Sequence, residues 1–219
     1  LESFRNAVSG IGSFEDNSFQ FTGDKIQEWV KKGYFPDGVN SLSEDDGQAR
    51  QLLYQGKAAM DLIGSWYTSV IQNDSADFYK NVGWFPFPKI DDSDADANIQ
   101  FGTVGDQFIS FNCTGEKLKA AFECAALFSS DEAVEMMVKN SKIPPIKGIE
   151  NKISDPLTKQ ICEAATKASD VQLWYDQYLP PIVAQTHLDT CQELFGLTMT
   201  PEEANAQMQK SMEEYLDSK

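Results

Sequence analysis

The chain has 219 residues, of which 41% are hydrophobic, and a formal net charge of −16. This length suits one domain or two small ones with a packed core, and no segment approaches the roughly 20 apolar residues of a membrane span. The acidic charge disfavours nucleic acid and anionic lipid as direct partners but does not penalise a neutral ligand. The opening LESFRNAVSG lacks the basic and apolar regions of a signal peptide and begins in mid-pattern, so we expect a mature protein or a fragment.

Two helices are predicted before residue 60. In TGDKIQEWVKKGYF, apolar residues recur on one face, and Gly33 is a typical residue to follow a helix end. In SLSEDDGQARQLLYQG, Ser43 is a candidate cap, and the acidic residues 44–46 favour the positive end of a helix dipole.

Strand patterns follow in the middle of the chain. The short apolar run AAMDLIG (58–64) and the proline-ended NVGWFPFP (81–88) are predicted as strands, and DQFISFN (106–112) alternates as a strand does. Between them DDSDADAN (91–98) predicts a polar loop. These strands alternate with helices, which indicates an α/β fold. Because the helices outnumber the strands, either the sheet is small or some of its strands are missing.

Helices dominate the last hundred residues. One is predicted from about Glu116 with Thr114 as its cap, and the others cover SSDEAVEMMVKN, Pro156–Ala168, Ile182–Phe195 and TPEEANAQMQKSMEEYL. The last has the strongest start signal, because Thr200 and Glu203 are spaced as a capping box with Pro201 between them. The segment VQLWYDQYLPP is predicted as an aromatic loop.

No catalytic or metal motif is evident. The sequence has a single histidine, His187, and no nucleophile-elbow motif such as GxSxG. We therefore interpret His187 as a surface or core residue and not as a catalytic base. The cysteines are neither in CxxC pairs nor at zinc spacing and are interpreted as small core residues, with a disulfide left open; they are Cys113, Cys124, Cys162 and Cys191.

The acidic loop is compared with an EF-hand. Asp92, Asp94 and Asp96 match its first three ligand positions, but Ala97 stands where the turn needs glycine and Thr103 where the loop needs glutamate. We therefore predict a solvated loop and no metal. GTVGDQ lacks the Lys-Ser/Thr of a phosphate-binding loop, and no cofactor is predicted.

Aromatic residues stand at the predicted ends of elements. Trp66 follows Gly64-Ser65, Trp84 precedes a proline-rich exit, and Trp174 and Tyr175 lie beside Asp176. Ligands in open α/β sheets sit at the carboxyl ends of strands, and aromatic faces beside polar groups suit sugar rings. Each tryptophan taken alone is also consistent with a core role, so the residues leave both interpretations open.

A family resemblance narrows these alternatives. LLYQGKAAMDLIGSWYTSVI resembles the extracellular solute-binding proteins of carbohydrate ABC transporters, the maltose-binding-protein-like family. GWFPFP, GTVGDQFISFN, SKIPPIKG and YDQYLPP…LFGLTMTPEEANAQMQ resemble further family segments in the same order. The similarity extends over essentially the whole chain.

The resemblance implies a periplasmic-binding-protein-like fold of type II, mainly its C-terminal lobe. Residues 1–104 and 149–219 would belong to that lobe, and 105–148 to a hinge crossover and the N-terminal lobe. Most of the N-terminal lobe and the signal or lipid-anchor sequence would then lie outside this chain. The resemblance also implies an extracytoplasmic protein, a cell-surface lipoprotein or periplasmic, that closes on a sugar or oligosaccharide, delivers it to the transporter permease and does no chemistry. It would touch the membrane only through the anchor or the permease.

The resemblance also suggests site residues. Trp66 would project from the first turn of a helix, with Gly64 permitting the turn and Ser65 capping the helix, and would stack on a pyranose ring. Asp106 would bond to sugar hydroxyls. Trp84 and Trp174 match family positions only loosely, and Tyr175 and Asp176 accompany them, with a helix-bracing role open for Asp176.

Two other functions stay open from the sequence. One is a carbohydrate-active enzyme of the glycoside hydrolase kind, which needs a pair of carboxylates with distinct environments. The other is a non-catalytic interaction module, in which the aromatic residues fill the core.

Overall fold

The computed structural model describes residues 1–102 and 113–219. In chain order, its helices and strands are α1 (Glu2–Val8), α2 (Asn17–Lys31), α3 (Gln48–Tyr54), α4 (Tyr67–Asp74), α5 (Ala76–Tyr79), β1 (Ile99–Phe101), α6 (Gly115–Leu127), α7 (Asp131–Lys139), α8 (Pro156–Thr166), β2 (Asp170–Gln172), α9 (Tyr175–Tyr178), α10 (Pro181–Gly196) and α11 (Pro201–Asp217). Single 3-10 turns lie at Val39–Ser41 and Ile149–Asn151.

The chain forms two compact units. The first combines Leu1–Asp61 with Leu173–Lys219, and the second is Leu62–Gln172. The lobe boundaries implied by the resemblance remain a prediction. No helix in the described residues is long and apolar enough to cross a membrane.

In the first unit α2, α10 and α11 pack on one another, and the buried core lies mainly among α1, α10 and α11. Phe4 of α1 is 2% exposed and stacks on Tyr175 with ring centroids 3.6 Å apart. The buried cluster is Phe4, Ala7, Phe14, Leu179, Val183, Ala184, Met208 and Met212. Burial of these side chains supplies the main driving force that holds the unit together.

Local signals correctly predicted α2, α10 and α11 of this unit, whereas α1 was not predicted and α9 lies in a segment predicted as a loop. The Thr200 hydroxyl accepts from the Glu203 N–H, and the Glu203 carboxylate accepts from the Thr200 N–H, so the capping box of α11 is confirmed. Gly33 follows the C-cap of α2 with φ of +72°, a conformation that favours glycine. The predicted start of α3 was wrong, because the helix begins only at Gln48. The Ser43 hydroxyl instead accepts a hydrogen bond from the Asp46 N–H in a turn that precedes the helix.

The second unit holds a small parallel sheet and a separate apolar cluster. β1 pairs with β2 in the register Ile99 to Asp170 and Phe101 to Gln172. The Ser169 hydroxyl donates to Asp96 at 2.6 Å, so the acidic loop is attached to the start of β2. The apolar cluster consists of Val134, Ile149, Ile153 and Cys162, with Val138, Ile143 and Ile146 packed against it.

Two predicted strands do not form. The segments 58–64 and 81–88 are irregular, and Met60, Leu62 and Phe85 are 69%, 79% and 59% exposed. A strand is stable only when a neighbour pairs with it, and none of the described residues pairs with these segments. The strand predicted for 106–112 lies outside the described residues. The predicted aromatic loop instead contains part of β2 and the short helix α9.

Candidate functional site

Trp66 is the N-cap residue of α4 and is 51% exposed. Its backbone is already helical, with φ −59° and ψ −20°. Trp66 therefore lies at the start of a helix, as expected from the sequence, although the preceding segment is irregular and not a strand. Half of this large side chain is accessible, so a role as a core residue of the described chain does not fit it.

Gly64 lies directly under the Trp66 ring. A Cβ atom at this position would overlap three carbon atoms of the six-membered ring. A turn does begin at Gly64, as predicted, and its carbonyl accepts from the Tyr67 N–H at 3.1 Å, but its φ is not in the left-handed region. Glycine at this position lets the indole ring approach the backbone closely.

The first turn of α4 is held by hydroxyl groups. The Ser69 hydroxyl donates to the Trp66 carbonyl at 2.8 Å, and the Thr68 hydroxyl lies 3.0 Å from the Ser65 carbonyl oxygen. The predicted cap role of the Ser65 side chain was wrong, because Trp66 occupies the N-cap position without a side-chain cap bond. Sequence reasoning missed Thr68 and Ser69, for which no motif gives a signal.

Trp84 lies in the irregular segment of the second unit and is half-buried. The neighbouring Phe85 and Phe87 are 59% and 48% exposed. This segment thus offers further aromatic surface in the same unit as Trp66. A ligand role for Trp84 stays a prediction.

Trp174, Tyr175 and Asp176 belong to the first unit, at the start of α9. One face of the Tyr175 ring is covered by Phe4, and its other surroundings include His187, whose ring centroid is 5.5 Å away. Burial raises the pKa of the Tyr175 hydroxyl to about 12. These contacts favour a packing role for Tyr175. Trp174 is the half-buried N-cap of α9, and Asp176 is exposed in its first turn, where a carboxylate stabilises a helix.

Asp106, the second residue expected to bind sugar, lies outside the described residues. Among the described residues, no group of three or more His, Cys, Asp or Glu side chains could hold a metal ion. Asp96 instead accepts from the Asn98 N–H and from Ser169, and these bonds lower the pKa of its carboxyl group. Asp92 has a left-handed φ of +65°.

A cysteine and the single histidine lie together on α10. The Cys191 sulfur is 3.7 Å from His187 Nδ1, a pairing that can support nucleophilic catalysis. Burial raises the pKa of the Cys191 thiol to about 11. Burial also lowers the pKa of His187, and this effect outweighs the negative charge of Asp176, which acts to raise it. Both groups are therefore neutral at pH 7, whereas a reactive cysteine needs a thiolate.

The four cysteines are free thiols. Cys162 is buried in the apolar cluster of the second unit, which confirms its predicted core role. Cys124 is exposed, so the same prediction was wrong for it, because α6 buries none of its residues.

Two solved structures resemble this chain over almost its whole length. A chitin oligosaccharide binding protein is 28% identical with a TM-score of 0.80, over 97% of this chain and 53% of that chain. A protein from work on xylan utilisation by the thermophilic bacterium Caldanaerobius polysaccharolyticus is 26% identical with a TM-score of 0.79, over 96% of this chain and 54% of that chain. The chain thus spans about half the length of these structures. No curated protein matches it.

These similarities confirm the predicted α/β, periplasmic-binding-protein-like fold class, helix-rich with a small sheet. The family described as bacterial extracellular solute-binding protein matches residues 6–135, which is more than half of the chain. The chain therefore belongs to the bacterial extracellular solute-binding protein family.

Proposed function

We propose that this chain is part of a substrate-binding protein that captures an oligosaccharide outside the cytoplasm and delivers it to an ABC transporter permease. The observation that carries the proposal is the half-exposed Trp66 ring at the start of α4. The exposed part of an indole can stack on the C–H face of a pyranose, and the contact needs no charge on the ligand.

The charge of the chain supports a neutral ligand. With a net charge of −16 and a pI of about 4.3, the surface repels phosphates and other anions. A neutral oligosaccharide meets no such penalty. The two similar solved structures, one of a chitin oligosaccharide binding protein and one concerned with xylan utilisation, point to the same ligand class.

A binding role without catalysis fits the described residues. The Cys191–His187 pair is neutral and partly buried, so it does not supply a nucleophile. We propose Trp66 as the principal stacking residue, Trp84 and Trp174 as further aromatic contacts and Asp106 as a hydroxyl-binding carboxylate. Asp176 is assigned to bracing α9, and Tyr175 to packing. Attachment to the cell surface, by a lipid anchor or through the permease, belongs to the same proposal.

A thermal-shift screen tests this function with the full-length product of the gene that carries this chain. The panel contains chitin oligosaccharides, xylo-oligosaccharides and malto-oligosaccharides. A ligand that binds only the native state at about 100 times its Kd stabilises it by about 2.7 kcal/mol, and the melting temperature rises accordingly. Release of the chromophore from aryl glycosides would contradict the proposal and favour an enzyme, and so would the absence of any shift across the panel.

A further inference from the structure

A cluster of hydroxyl side chains is buried beneath the start of α4 in the second unit. Thr158 is 0% exposed, and Thr68, Ser141 and Ser69 are 4%, 4% and 8% exposed. Burying a hydroxyl is costly unless it is hydrogen-bonded, so a cluster of this kind is retained only where its bonds are made. We call Thr68, Ser141 and Thr158 the hydroxyl cluster.

The hydroxyl cluster attaches α4 to the segment after α7 at two points. The Thr68 hydroxyl lies 3.0 Å from the Ser141 carbonyl oxygen, and the Ser141 hydroxyl donates to Gln72 Oε1 at 2.7 Å. Thr68 and Gln72 are four residues apart, on one face of α4. Ser141 has a left-handed φ of +54°, which is costly for a residue with a Cβ and persists only when its surroundings fix it.

A third point of attachment comes from α8. The Thr158 hydroxyl donates to the Thr68 oxygen at 3.4 Å. The start of α8 is itself held by Asp155, whose Oδ2 accepts from the Thr158 N–H at 2.8 Å and from the Tyr79 hydroxyl at 2.7 Å. Burial opposes ionisation of Asp155, but these bonds outweigh it and lower the pKa of its carboxyl group.

The same helix turn is hydrogen-bonded to the backbone at Ser65 and Trp66. The Thr68 hydroxyl has one hydrogen, which the carbonyl oxygens of Ser141 and Ser65 share at 3.0 Å each, and the adjacent Ser69 hydroxyl donates to the carbonyl of Trp66. The buried residues of α4 are Tyr67, Thr68, Ser69 and Ile71, so two of the four are small and polar. Apolar contacts tolerate rotation of such a short helix, whereas hydrogen bonds are directional and fix it.

We propose that the hydroxyl cluster is a positioning device that fixes the rotation of α4 and thereby the orientation of the Trp66 ring. Thr68 and Thr158 are then positioning residues for ligand recognition, although both are buried. This inference rests on the proposed function for its consequence in sugar binding, whereas its structural part can be measured without a ligand.

The structural part is tested by fluorine NMR of the protein labelled with 5-fluorotryptophan. The Trp66 resonance is assigned by its loss in Trp66→Phe. Thr68→Val and Thr158→Val remove a hydroxyl at nearly constant volume, and each is expected to shift or broaden the Trp66 resonance. Thr68→Ser keeps the hydroxyl and is expected to leave the Trp66 resonance as it is in the wild type. Thr190→Val is the matched control, because Thr190 is 3% exposed and its hydroxyl bonds to the carbonyls of Thr186 and His187 within α10.

The functional part is tested with the same variants of the full-length protein and chitin or xylo-oligosaccharides as probes. Loss of the directional bond is expected to weaken binding by about tenfold in Thr68→Val, with recovery in Thr68→Ser and no change in Thr190→Val. If the resonance moves while no oligosaccharide binds to any variant or to the wild type, positioning stands and the proposed function fails.

An unchanged Trp66 resonance in both valine variants would overturn the inference, as would an equal shift in Thr190→Val. Should Thr68→Val fail to fold, as judged by circular dichroism, Thr158→Val provides the test, because it removes the weakest bond of the cluster. A shift of the Trp66 resonance that Thr68→Ser does not reverse would also overturn it.

Discussion

Helices α11 and α6 have similar sequence patterns but very different surroundings. Both follow a threonine N-cap and carry an apolar stripe, yet α11 buries Pro201, Ala204, Met208 and Met212, while α6 buries none of its residues. Phe122 on the α6 stripe is 66% exposed. An amphipathic pattern thus predicts a helix and its apolar side, but it does not say whether the chain supplies a partner for that side.

The largest contrast is expected from removing an aromatic ring in each region. Phe4 is 2% exposed and stacks on Tyr175, so Phe4→Ala is expected to lower the free energy of unfolding by about 3–5 kcal/mol. Phe122→Ala removes the same atoms from an exposed position and is expected to change the free energy of unfolding by less than about 0.5 kcal/mol. Urea denaturation of both variants measures the difference, and equal losses would contradict the comparison.

A close approach between α2 and α11 gives the next effect. A Cβ on Gly23 would lie 2.6 Å from the Pro201 Cβ, and a proline ring cannot move aside by changing rotamer. Gly23→Ala is therefore expected to destabilise the protein by about 1–3 kcal/mol, although alanine favours helix. The exposed neighbour Thr22 serves as control, since Thr22→Ala is expected to be neutral or slightly stabilising. A stabilised Gly23→Ala in thermal denaturation would show that the two helices separate easily.

The two threonine caps provide a smaller contrast. Thr200 forms a complete capping box, whereas Thr114 makes no side-chain cap bond to α6. Thr200→Ala is expected to cost about 1 kcal/mol. Thr114→Ala is expected to cost nothing measurable in the same denaturation experiment. A cost at Thr114 as large as that at Thr200 would mean that α6 is capped as α11 is.

The smallest effect is a pH dependence in α10. Burial lowers the pKa of His187 below 6.5 in the folded state, and the ring faces Tyr175, Cys191 and the opposing charge of Asp176. The unfolded chain therefore binds a proton at His187 more readily than the folded chain does. The stability that the neutral, buried ring contributes is fully present above about pH 6.5 and is lost as the pH falls below that value.

The variant His187→Gln isolates this contribution. Below about pH 6.5 the wild type is expected to lose stability relative to the variant, by at most about 1.4 kcal/mol per pH unit. Above pH 7 the difference between the two proteins is expected to be constant. A difference that grows in favour of the wild type on acidification would show that His187 is stabilised in its protonated form.

The sequence was most informative where the signal is local. The capping box of α11 and the glycine end of α2 depend on neighbours within a few residues, and both were predicted correctly. The strand predicted for 58–64 failed because pairing depends on a distant partner that the described residues do not provide. The hydroxyl cluster could not be predicted either, since Thr68 lies 73 and 90 residues from Ser141 and Thr158.

The candidate site was predictable only in part. The position of Trp66 before a helix was correct, but the reason for Gly64 is the approach of the indole ring, which no sequence pattern reveals. Tyr175 was expected beside a ligand, while its contacts with Phe4 and His187 favour packing. Aromatic residues serve in cores and binding sites alike, so only the three-dimensional contacts separate the two roles.

Calorimetric titration of Trp66→Ala tests the central claim most directly. The full-length protein is titrated with the oligosaccharide that gives the largest thermal shift, beside Tyr34→Ala, an exposed aromatic control with 68% of its surface accessible. Trp66→Ala is expected to bind at least about 30-fold more weakly, a loss of about 2 kcal/mol typical of an aromatic hot spot. Tyr34→Ala is expected to bind as the wild type does. Wild-type affinity in Trp66→Ala would contradict the assignment of this ring as the sugar platform.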